Sequence, residues 1–144
     1  MSNIGLAEAN RVITAALSFA RAKSFAPLTV VVLDTGGHVV AAQREDESGI
    51  LRFEIACGKA YGALGFGFGS RELAERAPKS PVFMAAVSAA AGGRFIPVPS
   101  GVLIRDTAGR LKGAVGISGD NSDNDEAAAV AGIEAAGLRA QVGK

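Results

Sequence analysis

The stretch LTVVVLDTGGHVVAAQRED, Leu28 to Asp46, decides the fold. Leu28 to Asp34 is an apolar, β-branched run without polar alternation, the pattern of a strand covered on both faces. Thr35 to Gly37 supply a turn, and His38 to Asp46 return as a second strand. Three residues are too few for a crossover helix, so the pair is an antiparallel hairpin. Upstream, Ile4, Leu6, Ala9, Val12, Ile13, Ala16, Leu17 and Ala20 recur at helical spacing. They predict an amphipathic first helix that Pro27 ends.

Downstream, residues 49–63 read as a second helix, interrupted by GALGFGFGS, where four glycines set Phe66 and Phe68 between flexible links. Either ring could anchor an interface or close a pocket, and packing in the core is the simpler reading for at least one. SRELAERA follows as a short helix with Ser70 as its cap. Pro81 starts another helix that Gly92 and Gly93 close. RFIPVP, residues 94–99, reads as a short strand confined to an edge or a bulge, because its prolines cannot donate to a ladder. GVLIRD and LKGAVGIS form a second hairpin across TAGR, and residues 123–141 read as an alanine-rich helix. Helix, hairpin, helices, three strands, helix is an α+β order with a mainly antiparallel sheet, and no linker or repeat divides residues 1–144.

Composition narrows the function. The 144 residues are 49% hydrophobic and 20% charged, with a formal charge of +1, so nothing global favours nucleic acid or an anionic membrane. His38 is the single histidine and Cys57 the single cysteine, which leaves no imidazole metal cluster and no intrachain disulfide. Charges at Glu8, Arg11, Arg21 and Lys23 break the first apolar segment, so neither a leader nor a membrane span is expected, and the cytoplasm is the expected compartment.

Residues 113–127, GAVGISGDNSDNDEA, end a strand in glycines and open an acidic helix. Gly116, Ser118 and Gly119 could bring backbone close to a ligand at a helix start. Asp123 and Glu126 have the spacing of a capping box, which would satisfy the same donors, and the spacing favours the cap.

Four separated pieces, VVLDTGGHVVAAQRED, IACGKAY, IPVPSGVLIRD and GAVGISGDNSDNDEAAAVAGIEA, resemble the GlcG/HbpS family of haem-binding or haem-degrading proteins over essentially the whole chain. The same domain is similar to the C-terminal part of PduO corrinoid adenosyltransferases. The residues carrying the resemblance are Asp34, Gly37, Val40, Arg44, Asp46, Lys59, Ala60, Gly116, Ser118, Gly119, Asp125 and Glu126. It implies a profilin-like, five-stranded antiparallel sheet flanked by helices, assembly into hexamers or octamers, and haem or a related tetrapyrrole as ligand. One departure stands out: Ser100 follows Pro99 where the family usually has glycine, which adds a hydroxyl and disfavours positive φ.

His38 is the obvious nitrogen ligand for haem iron, with Tyr61, Cys57 and Met84 as other donors. A turn histidine, a small buried thiol and core packing are their ordinary readings. Lys59 lies among small apolar neighbours, so its ammonium must reach water or meet a carboxylate, Asp34 or Asp46. Arg44 and Asp46 share a strand face, where an arginine could hold a ligand carboxylate. Arg94 and Arg105 add two further cations. If Lys59 and Arg44 gather in one recess with Asp46 or Asp125, proton-transfer chemistry on a small carboxylated or carbonyl catabolite becomes possible, by isomerisation, tautomerisation or elimination. Two functions therefore stand at this level, a small-ligand binding protein and a cofactor-free enzyme. A purely structural assembly subunit is a third, and it predicts no pocket.

Overall fold

A computed structural model describes residues 3–144. Helix α1, Leu6–Ala22, buries Ala9, Val12, Ile13, Ala16 and Ala20, and Gly5 N–H donates back to Glu8 Oε1 at 3.3 Å. Strand β1, Thr29–Leu33, is buried at all five positions, as a continuous apolar run requires when helices cover both faces. It pairs antiparallel with β2, Val39–Arg44, around a turn in which the Asp34 carboxylate accepts the N–H groups of Gly36 (2.9 Å) and His38 (3.0 Å). Gly37 sits at φ 80°, where a side chain would be strained and would strike the Tyr61 ring.

Helix α2, Arg52–Phe66, follows, then α3, Ser70–Arg76, a 3₁₀ turn at Ala77–Lys79, and α4, Pro81–Ala90. Strands β3, Gly101–Arg105, and β4, Leu111–Ser118, form the second hairpin, with α5 at Ser122–Ala135 and β5 at Arg139–Gln141. The sheet order is β2-β1-β4-β3-β5, antiparallel at every pairing. The result is the α+β, five-stranded architecture that the sequence predicts.

Two layers of helix cover the sheet. Val30, Val32, Val102, Ile104, Val115 and Ile117 face α1 and α5. Val31, Leu33, Leu103 and Ala114 face α2 through Ala56, Ala60 and Ala63. Helix α2 lies so close that a Cβ at Gly116 would collide with the carbonyl oxygen of Ala56, and one at Gly101 with that of Lys59. A third cluster of Leu73, Met84 and Phe95 fills the space under α3 and α4.

Several local expectations are corrected. Residues 94–99 form no strand: Pro97 and Pro99 have no N–H, and the segment is held by scattered single bonds, such as Ile96 N–H to Gly58 O at 3.2 Å and Val98 N–H to Ile96 O at 2.8 Å, and not by a ladder. The fifth strand is instead β5, cut from the predicted last helix by Gly137 at φ 77°. Helix α2 runs through Gly62 and Gly65 and stops only at Gly67, φ 83°. Phe66 and Phe68 belong to the third cluster, with Phe66 packed on Phe95 at 5.7 Å between ring centres. Ser70 is not a cap but the first residue of α3, and its hydroxyl joins Gly101 N to Val98 O, each at 2.6 Å. The N-cap of α5 is Asn121, whose side chain accepts Asn124 N–H at 2.8 Å, while Asp123 and Glu126 both clamp Arg71 of α3. Among the described residues no helix is long and apolar enough to cross a membrane.

Candidate functional site

Phe53, Cys57 and Tyr61 follow one another at i, i+4 and i+8 along α2 and therefore share one face. That face looks across a hollow of about 370 Å³. Leu33 and Val39 of the first hairpin wall it on one side, with Gly37 at its turn. Gly92, Gly93 and Arg94, in the loop after α4, close the other. The volume is within the ordinary range for small-ligand pockets and the lining is mainly apolar with a few polar groups, as such pockets require.

Arg94 and Tyr61 make the polar end. The guanidinium carbon lies 4.0 Å from the centre of the phenol ring, and Nη2 donates to Tyr61 Oη at 3.1 Å. Nε donates to Ala91 O at 3.2 Å, so the arginine is held from two sides. Tyr61 also walls two adjoining hollows, about 160 Å³ beside Thr35–Gly37 and Leu64, and about 280 Å³ beside Phe66, Val87 and Phe95. Tyr61 thus borders all three hollows, which together make up the trough beside α2. Burial pushes the Cys57 thiol up, and Glu54 adds to the effect, so the sulfur stays protonated and is a poor thiolate.

His38 does not line the trough. Its side chain is 81% exposed at the hairpin turn, with Nδ1 3.2 Å from Asp34 Oδ1. Met84 is core packing.

Lys59 is 3% exposed and is no surface cation. Its partner is neither Asp34 nor Asp46: Nζ donates to Ile117 O at 2.9 Å and lies 3.5 Å from Asp125 Oδ2. The fold brings them together because α2 covers the end of β4 just where α5 begins. Burial pushes the Lys59 ammonium down and the Asp125 carboxyl up, each partly opposed by the other's charge. Asp125 Oδ1 accepts Asp120 N–H at 2.9 Å, whereas Oδ2 has only the long ionic contact. Ser100, buried at φ 97°, carries the other buried side-chain oxygen without a hydrogen-bond partner among the described residues.

Arg44 is elsewhere. Its Nη1 donates to Ser48 O at 3.0 Å, and with Asp46 it lines an open polar hollow beside Arg21 and Pro27. Arg44 and Lys59 therefore do not share a recess. Gly116 is covered by α2, Ser118 Oγ accepts from Arg52 Nη1 at 3.0 Å, and Gly119 is packed against Pro27. That corner is a packed turn in which Gly116 and Ser118 are buried and Gly119 is only partly exposed.

The trough itself was not assembled from the sequence, although Tyr61 and Arg94 each stood out singly. The i, i+4, i+8 stripe of Phe53, Cys57 and Tyr61 was the legible signal. The Arg94–Tyr61 stack, 33 residues apart, had none.

The family model described as "Haem degrading protein HbpS-like" matches residues 4–134. Among solved structures, the PduOC:heme complex superposes with a TM-score of 0.83 at 21% identity, covering 94% of this chain and 96% of that one. Klebsiella pneumoniae protein ORFY, of family DUF336, gives 0.83 at 24% identity over 94% and 92%. A double mutant of Streptomyces reticuli HbpS gives 0.77 at 23% over 93% and 87%. At these identities the likeness is one of fold. No curated protein sequence matches the chain significantly.

Proposed function

The chain belongs to the HbpS-like family, and from that premise we propose that it is a cytoplasmic binding protein for haem or a related tetrapyrrole, held in the trough along α2. The observation that carries this reading is the joining of an apolar wall to one fixed cation. Leu33, Val39 and Phe53 offer a face for a flat macrocycle, and Arg94, at the polar end, suits a propionate. The donor set fits: Tyr61 supplies an oxygen for ferric iron, and Arg94 Nη1 makes no hydrogen bond among the described residues. When bound, haem supplies iron redox and oxygen chemistry; the chain holds the ring, orients its carboxylate and sheds water from one face.

The small-ligand reading and the isomerase or lyase alternative both expected Lys59 and Arg44 to gather in one recess. Arg44 instead sits at an open rim and Lys59 is buried against Asp125, so the ligand reading stands on the hollow along α2 and not on those cations. We propose further that the working form is a homo-oligomer, hexamer or octamer. Ile50 and Leu51, 94% and 65% exposed at the start of α2, support assembly, because water-facing aliphatics of this size gain from cover.

Hemin titration tests the reading. The wild-type protein should develop a Soret band that persists through gel filtration. Phe53→Asp, at a position 40% exposed and tolerant of change, should weaken binding about tenfold or more by setting a carboxylate against the apolar face, with the melting curve unchanged. Hemin that elutes apart from the wild-type protein, or binds Phe53→Asp equally well, overturns it.

A further inference from the structure

We infer that Tyr61 is the iron ligand of this site, as a phenolate held by Arg94, and that His38 is not; the inference rests on the tetrapyrrole reading above. Four side chains carry a plausible donor atom. His38 is 81% exposed and already turned onto Asp34 at the hairpin turn, outside the lining of the hollow. Met84 is packed with Leu73 and Phe95. Cys57 is half-buried, lines only one of the hollows, and has no hydrogen-bond donor at its sulfur among the described residues. Tyr61 remains, and it alone among the four lines all three hollows.

Its surroundings suit the role. A phenolate bound to ferric iron carries negative charge in a largely apolar wall, which needs a fixed positive neighbour. Arg94 meets that need with a hydrogen bond to Oη and a stack on the ring, and its second bond to Ala91 O keeps the guanidinium in place. Gly37, beside the ring edge, leaves room where any side chain would press on Tyr61. On binding hemin, Tyr61 would release its phenolic proton to solvent and offer its oxygen to the ferric iron in place of a water, with no change of oxidation state. Tyrosine oxygen is one of the recognised haem ligand types. Arg94 is then a positioning residue for the ligand oxygen.

The test uses the purified protein with one equivalent of hemin. Resonance Raman and visible spectra of the wild type should show ferric iron with phenolate ring modes and a phenolate-to-iron charge-transfer band. Tyr61→Phe should retain the fold by circular dichroism, still take up hemin, lose those signatures, and release haem to apomyoglobin faster. Arg94→Ala should keep the phenolate band weakened and lose affinity by about tenfold or more, the range for removing a ligand's outer partner. His38→Ala should change nothing. A bound wild type without phenolate modes, or a ligand signature that changes in His38→Ala and survives in Tyr61→Phe, overturns the assignment while leaving the binding function standing. Failure of the wild type to bind hemin removes both.

Discussion

Replacing Lys59 by methionine isolates the energetics of the buried ion pair. Nζ and Asp125 Oδ2 are 3.5 Å apart, with side chains 4% and 1% exposed. At an effective dielectric of about 20 their attraction is about 5 kcal/mol, and desolvating each ion costs several kcal/mol. These terms nearly cancel, so the pair adds little compared with two apolar residues. Removing one partner is different, because Asp125 stays buried with Oδ2 unsatisfied, which costs about 3–5 kcal/mol. Urea unfolding at neutral pH should show that loss for Lys59→Met, and Lys59→Met/Asp125→Asn should recover most of it. The pH dependence has a definite sign. Burial already raises the Asp125 carboxyl, and losing Lys59 raises it further. A carboxyl whose folded pKa is raised weakens the fold while ionised, and the deficit fades as pH falls through that raised value. In the wild type the same protonation strands the Lys59 ammonium. The gap between variant and wild type should therefore narrow in acid. A loss below about 1 kcal/mol, the worth of a surface pair, or a double variant no better than the single one, would refute this account.

Two other outcomes follow from the same geometry. Gly116→Ala should cost about 3 kcal/mol or more in urea unfolding, because the new Cβ meets the Ala56 carbonyl and α2 must lift from the sheet. Asp120 is held below the usual aspartate range by the N–H groups of Ala26 (2.7 Å) and Asn121 (2.7 Å) and by the Asn124 side chain. Its contribution is present above the ordinary aspartate pKa and lost as pH falls through the depressed one, so Asp120→Asn should be less stable than wild type at neutral pH and converge with it in acid, followed by thermal melts from pH 7 to pH 2.

Where backbone pattern is local, the sequence was readable. The β-branched run of β1, the Gly37 turn and the 3.6-residue stripe of α1 each declare themselves within a few neighbours. The resemblance supplied the sheet's overall form. Gly137 marked the end of α5, but the helix-compatible residues 138–141 beyond it read as a continuation, and a three-residue strand carries too little pattern to compete. Residues 94–99 looked extended because a proline drives the residue before it out of the helical region, yet the same prolines forbid the ladder. Sites failed for another reason. Lys59 finds Asp125 66 positions away, and Arg94 finds Tyr61 33 positions away, through packing that no local spacing encodes. Arg44 and Lys59 lie close in sequence on adjoining elements, but the strand carries one to an open rim while the helix carries the other inward.

The seating of α2 has a wider consequence. Bare main chain rests on bare main chain at Gly101 and Gly116, without a cushion of side chains that could be retuned. The height of the helix that carries Phe53, Cys57 and Tyr61 is thus fixed at the level of the polypeptide itself. Drift in what the cleft accepts is channelled to Val39, Phe53 and the 92–94 loop, whose side chains can be exchanged while the frame beneath them keeps its shape.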